Sequence, residues 1–153
     1  MQQRIYIDTS VPGGYFDKEF EADTKLFFER IHQRDFIVHL WQISTVELLP
    51  APQKVKDLVS KIPSDCFVML DFPKEAQELA ENYLYERILG KASFNDANHI
   101  AIATVNRIDV LVSWNFRHIV NLDKIRLFNS VNIKLGYPTI DIRSPKELIK
   151  YED

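Results

Sequence analysis

Apolar positions fall into two rhythms that alternate along the chain. Short runs rich in β-branched and aromatic residues read as strands: Ile5 to Ile7, Phe36 to Ile43, Phe67 to Leu70, Val110 to Ser113 and Thr139 to Ile142. Between them the apolar spacing lengthens towards a helical period. Phe20, Leu26, Phe27 and Ile31 mark a helix through about His32, with acids in its early turns. Ser44 to Leu49 starts a helix that Pro50 and Pro52 interrupt, and Lys54 to Ile62 resumes the pattern. The clearest helix is Pro73 to Leu89, with proline at its start, Glu75 in its first turn and Gly90 at its end. Ser93 to Asn106 forms another, Val120 to Leu135 is helical in part, and Pro145 to Tyr151 closes the chain. Pro12-Gly13-Gly14 reads as a turn.

Strands alternating with helices of this size predict parallel neighbours joined by crossovers, hence a three-layer α/β/α sandwich around a central, mainly parallel sheet. Polar groups placed just after the strands of such a sheet converge at one edge, where sites form. No repeat, low-complexity tract or Gly/Ser linker interrupts the pattern, and the 4 glycines leave no flexible boundary, so residues 1–153 are expected to make a single domain. With 46% hydrophobic and 12% aromatic residues, such a chain has material for a real core.

Charge changes the picture by its distribution. The net value of −3 carries no general nucleic-acid footprint. Residues 1–114, however, hold 12 Lys and Arg against 17 Asp and Glu, whereas residues 115–150 hold 7 against 3. The later basic surplus is either a solvated helical face or a rim facing a polyanion. The single cysteine, Cys66, excludes an intramolecular disulfide and lacks a catalytic arrangement, so it reads as structural. With Met1 leading straight into a strand, and no apolar run near the 18 to 20 residues of a membrane span, a soluble cytoplasmic protein is expected.

Three acids occupy equivalent places. Asp8 follows the first strand, Glu47 lies in "ISTVELL" just beyond the second, and Asp96 lies in "SFNDANHIAIATV" in the first turn of a helix. At each, a helix N-terminus presents unpaired N–H groups that favour an ionised carboxylate. Each also has an ordinary explanation, because Ser44-x-x-Glu47 and Ser93-x-x-Asp96 resemble capping boxes and Asp8 suits a turn. Together, at junctions of one sheet, they would repel one another unless a cation compensates them. Oxygen donors without zinc-type Cys/His spacing select a hard cation, Mg²⁺ or Mn²⁺, and such a centre acts on phosphates.

At this point "YIDTSV", "ISTVELL", "SFNDANHIAIATV" and "VLVSWNFRHI" resemble, in order and approximate spacing, the motifs of PIN-domain proteins and especially of VapC-like toxins. The resemblance runs from Arg4 to about Ile142. It implies a PIN-like fold and a metal-dependent endoribonuclease, with Asp8, Glu47 and Asp96 as catalytic acids and metal ligands. Ser10 resembles the hydroxyl that supports the first of them. It also implies an RNA substrate, a cognate antitoxin and a homodimer. The fourth acid of the family's pattern is replaced by Asn115 in "SWN", which keeps a neutral oxygen but adds no charge. One metal is therefore expected to bind well and a second weakly, or with the substrate phosphate. Arg117, His118, Lys124 and Arg126 are expected to meet flanking phosphates.

Other residues have plainer readings. Asp123 is expected to be a solvated helix residue, His99 a packed histidine and Trp114 a packing residue. An aspartyl-phosphate hydrolase would need a second aspartate two residues after Asp8, where Ser10 stands. The remaining alternatives are a non-catalytic PIN-like module that binds RNA or protein, and a housekeeping RNase without an antitoxin.

Overall fold

Ile5, Tyr6 and Ile7 are all fully buried, as a strand must be when helices cover both faces of its sheet. The computed structural model describes residues 2–86 and 94–149, the side chains of residues 45–47 excepted. Strands β1 (Gln3–Ile7), β2 (Phe36–Trp41), β3 (Phe67–Leu70), β4 (Val110–Val112) and β5 (Asp141–Arg143) alternate with helices. The helices are α1 (Ser10–Gly14), α2 (Glu21–His32), α3 (Gln42–Glu47), α4 (Gln53–Ser60), α5 (Lys74–Tyr85), α6 (Phe94–Val105) and α7 (Leu122–Lys134). Among the described residues these strands form one sheet in the order β3-β2-β1-β4-β5, and every pair is parallel. The expected α/β/α sandwich is therefore present.

Alternation along the strands builds the layers. Ile5, Ile7, Val38, Leu40, Val110 and Val112 turn to one face and pack with Phe27, Phe28 and Ile31 of α2 and Leu58 of α4. Tyr6, Trp41, Leu111 and Ile142 belong to the opposite core, with Leu79 and Tyr83 of α5, Ile100 of α6 and Phe128 of α7. Each such large side chain contributes about 1.5–3 kcal/mol on full burial, so the two cores fix which face each helix covers.

Chain direction places the site. β1 leads to β2 on one side, and its other neighbour is β4, so strand order reverses at β1. Ligands of open parallel sheets bind beyond the carboxyl ends of the strands at this reversal. Ile7 is in register with Val112. The segments starting at Asp8 and Ser113 thus emerge side by side, joined by the Asp8 N–H donating to the Val112 carbonyl at 3.3 Å.

Several boundaries differ from the sequence reading. Pro12-Gly13-Gly14 belongs to α1 rather than to a turn. Proline is tolerated there because the first turn of a helix leaves its N–H groups unpaired. β2 ends at Trp41 and helix begins at Gln42, so Ile43 and Ser44 are helical, and Ser44 is inside α3 rather than at its cap. The closing element is a short 3₁₀ helix, Pro145–Leu148, started by a capping box between Ser144 and Glu147. Residues 87–90 of the expected long helix, Ser93 and residues 150–153 lie outside the described residues. Among the described residues no helix is long and apolar enough to cross a membrane.

Candidate active site

Asp8 is the first residue beyond β1 and is almost wholly enclosed, at 5% exposure. Burying a carboxylate demands hydrogen-bond donors for its oxygens, and three are present. Oδ1 accepts from the Ser10 N–H at 3.1 Å and from Ser10 Oγ at 2.5 Å. Oδ2 accepts from Ser113 Oγ at 2.6 Å. The direction of both hydroxyls is fixed by what they accept in turn: the Trp114 N–H donates to Ser10 Oγ at 2.9 Å, and the Asn115 N–H donates to Ser113 Oγ at 2.9 Å. Each serine therefore spends its one proton on Asp8. With about four lone-pair positions on a carboxylate and three donors among the described residues, Asp8 keeps one position on Oδ2 with respect to them.

The electrostatics follow from this enclosure. Burial pushes the Asp8 carboxyl up from 3.8 to about 6; the Ser10 and Ser113 hydrogen bonds pull against that rise, and the negative charge of Asp96 adds to it. Asp8 and Asp96 thus feel each other, although they are far apart in sequence and come from β1 and α6. Asp96 stands half-buried in the first turn of α6, where the sequence reading put it.

Asn115 connects the two acids. Its Nδ2 approaches Asp96 Oδ1 at 3.4 Å, while its carbonyl oxygen accepts the backbone N–H groups of Arg117 at 3.2 Å and His118 at 3.0 Å. The oxygen expected to face a cation thus caps the turn after β4, and the amide hydrogens face the acid. Amide orientation is unambiguous here, since only the oxygen can accept two N–H groups.

Glu47 is the last residue of α3 rather than in a helix's first turn as expected, because helix begins at Gln42 directly after β2, and its side chain lies outside the described residues. Among the described residues no group of three or more His, Cys, Asp or Glu side chains is arranged to hold a metal. Asp8 and Asp96 nevertheless suit a hard cation, being oxygen donors with compounding negative charge in a low-dielectric setting. Of the expected phosphate contacts, Arg117 is exposed and His118 half-buried, both in the turn that Asn115 caps. Lys124 and Arg126 lie on α7, whose first turn is capped by Asn121. Asp123 is exposed in that turn, as a solvated helix residue should be.

Neighbouring residues settle into packing roles. His99 Nδ1 meets the Tyr6 hydroxyl at 2.5 Å, its ring lies edge-on to Tyr6 and Trp41, and burial pushes it down to about 4. Trp114 stacks on Phe20 with centroids 4.3 Å apart and donates from Nε1 to Thr24 at 3.0 Å. Cys66 is buried. Ser113 is the residue that sequence reasoning missed. Its signal was slight: a serine at the end of a buried strand, two residues before Asn115.

No protein-family model matches the chain, and no curated protein is significantly similar to it. Solved structures do match. A chain in the structure of VapBC2 from Rickettsia felis bound to a DNA fragment from their promoter is 13% identical, with a TM-score of 0.59, covering 93% of this chain and 98% of that one. A chain of FitAcB from Neisseria gonorrhoeae is 14% identical with a TM-score of 0.57, over 92% of this chain and 97% of that one. One from DNA-bound VapBC of Salmonella typhimurium is 17% identical with a TM-score of 0.54, over 95% and 99% respectively. Likeness at such identity shows a shared fold. That fold is the PIN-like sandwich which the motifs led one to expect.

Proposed function

We propose that the protein is a metal-dependent endoribonuclease of the VapC type, the toxin of a toxin–antitoxin pair, working in the cytoplasm with residues 1–153 as one nuclease domain. Asp8, Glu47 and Asp96 would hold Mg²⁺ or Mn²⁺. The observation that carries this reading is the enclosure of Asp8 at the strand-order reversal, braced by two serine hydroxyls and facing the charge of a second acid. A structural aspartate gains nothing from a like charge beside it; a cation ligand does.

When bound, a divalent cation supplies positive charge at the phosphoryl oxygens and acidifies water for hydrolysis. The chain does the rest. Ser10 and Ser113 fix the orientation of Asp8, and Asn115 holds the turn that carries Arg117 and His118. Those two residues, with Lys124 and Arg126, take the flanking phosphates, and Glu47 binds the ion or orients the attacking water. The resemblance of the motifs to those of VapC-like toxins supports an antitoxin partner and a homodimer for this protein.

A single-stranded RNA assay with Mg²⁺, Mn²⁺ or EDTA tests the chemistry. Cleavage in either metal, absent in EDTA and reduced at least about a hundredfold by Asp8→Asn, is the expected result. Growth arrest on induction, relieved by the product of an adjacent gene, separates a toxin from a housekeeping RNase. One observation favours a second reading, a non-catalytic RNA- or protein-binding module: the Asn115 oxygen is taken up by backbone N–H groups. RNA binding without cleavage in any metal would select it.

A further inference from the structure

At the far end of α1 from Asp8, Tyr15 and Phe16 open onto a cavity of about 330 Å³ that is also lined by His32, Lys54, Asp57 and Lys61. Residues 1–114 are acid-rich, 17 against 12, so this concentration of lysine runs against the local trend. Lys54 Nζ lies 4.7 Å from the centre of the Phe16 ring, and Lys25 Nζ lies 5.6 Å from that of Tyr15. Tyr15 and Phe16 also pack on each other, with centroids 4.9 Å apart. The rings therefore steady ammonium groups and do not offer a stacking platform to a base. Asp57, the carboxylate in the wall, accepts from Gln53 Nε2 at 2.9 Å. Against that one carboxylate the wall sets two lysine ammonium groups, so the cavity carries a surplus of positive charge suited to phosphate.

Its position supplies the second half of the argument. α1 has five residues and so spans about 7.5 Å; its first residue, Ser10, bonds Asp8, and Tyr15 follows its last. α1 therefore leads from Asp8 to the Tyr15 and Phe16 rim of the cavity, a path along which a bound strand meets Lys54, at the start of α4, before Lys61. We infer that this cavity is a phosphate-binding subsite, taking the RNA backbone on one side of the cleaved bond through Lys54 and Lys61. The inference rests on the ribonuclease reading and extends it to a surface that lies outside the acidic centre.

The test is anisotropy of a fluorescein-labelled single-stranded oligoribonucleotide in EDTA, where no cleavage intervenes, over a range of salt concentrations. Lys54 and Lys61 are exposed, so Lys54→Ala/Lys61→Ala should fold. It is expected to weaken binding roughly tenfold at low salt and to flatten the salt slope by about 1.4, the value for two lost phosphate contacts. Lys54→Arg/Lys61→Arg should bind as the wild type does. Lys74→Ala/Lys134→Ala, on α5 and α7 in the opposite layer, should change affinity less than twofold. Wild-type affinity in the Lys54/Lys61 alanine variant, or an equal loss in the Lys74/Lys134 variant, overturns the subsite. Cleavage by wild-type protein in Mg²⁺ or Mn²⁺ is scored separately. If cleavage occurs while the alanine pair binds normally, the subsite falls and the nuclease stands. If the lysines govern binding but no metal supports cleavage, the nuclease falls and the cavity stands only as the phosphate site of a non-catalytic RNA-binding module.

Discussion

Asp8 is ionised at neutral pH only against the resistance of its own burial. Its folded value of about 6 exceeds the ordinary 3.8, so the native state holds the proton more tightly than the unfolded chain between those values. The stability this provides is fully present below pH 3.8 and is lost as pH rises through 6. Without metal, Asp8→Asn removes a penalty of about 3 kcal/mol at pH 7.5. Roughly 1 kcal/mol is given back because an amide must donate where a serine hydroxyl also donates. The variant should therefore melt about 5 °C above the wild type in EDTA at pH 7.5, with the gap closing by pH 4. A gap that is absent at pH 7.5, or that widens on acidification, would show that Asp8 is not strained. Asn115 makes a complementary prediction. In Asn115→Asp a carboxylate replaces the amide that meets Asp96 at 3.4 Å, so metal-free stability should fall by about 1–2 kcal/mol. Calorimetric Mn²⁺ affinity should rise, on the order of tenfold. Unchanged affinity would remove residue 115 from the metal's surroundings. Asp8 and Asp96 were legible in the sequence because an acid after an apolar run, or opening a helix, stands out. Ser113 was not, since a serine at a strand end has many uses, and the turn that occupies the Asn115 oxygen exists only in three dimensions.

At the scale of elements, α1 shows how packing sets the site. A Cβ on Gly14 would lie 2.7 Å from Cδ1 and Nε1 of Trp114 and 3.0 Å from Thr24 Oγ1. Trp114 has little room to yield, being stacked on Phe20 and bonded to Thr24. Gly14→Ala should cost about 2 kcal/mol, a melting temperature lower by roughly 5 °C. It should also reduce RNA cleavage, because α1 carries Ser10 and Trp114 donates to the same hydroxyl; wild-type stability and rate together would refute the coupling. The glycine pair read as a turn because glycine usually marks conformational freedom. Here Gly14 is required for close approach. The overshoot of β2 into Ile43 has a local origin, since β-branched residues favour strands, whereas the chain turns into α3 directly after Trp41. β3, by contrast, was read with its observed bounds, because its apolar run is short and flanked by breakers.

Across the whole molecule, alternating strand and helix patterns specified a parallel sheet, but nothing in a linear pattern fixes the order β3-β2-β1-β4-β5. That order sets Ile7 beside Val112 and so brings Asp8 and Ser113 together at one edge, within reach of the charge of Asp96. The account depends on this convergence producing a shared cation site, which isothermal titration with Mn²⁺ measures directly. The wild type should bind Mn²⁺ with a defined stoichiometry, and Asp8→Asn and Asp96→Asn should each weaken that binding at least about tenfold. Wild-type Mn²⁺ affinity in both variants, each folded, would contradict it.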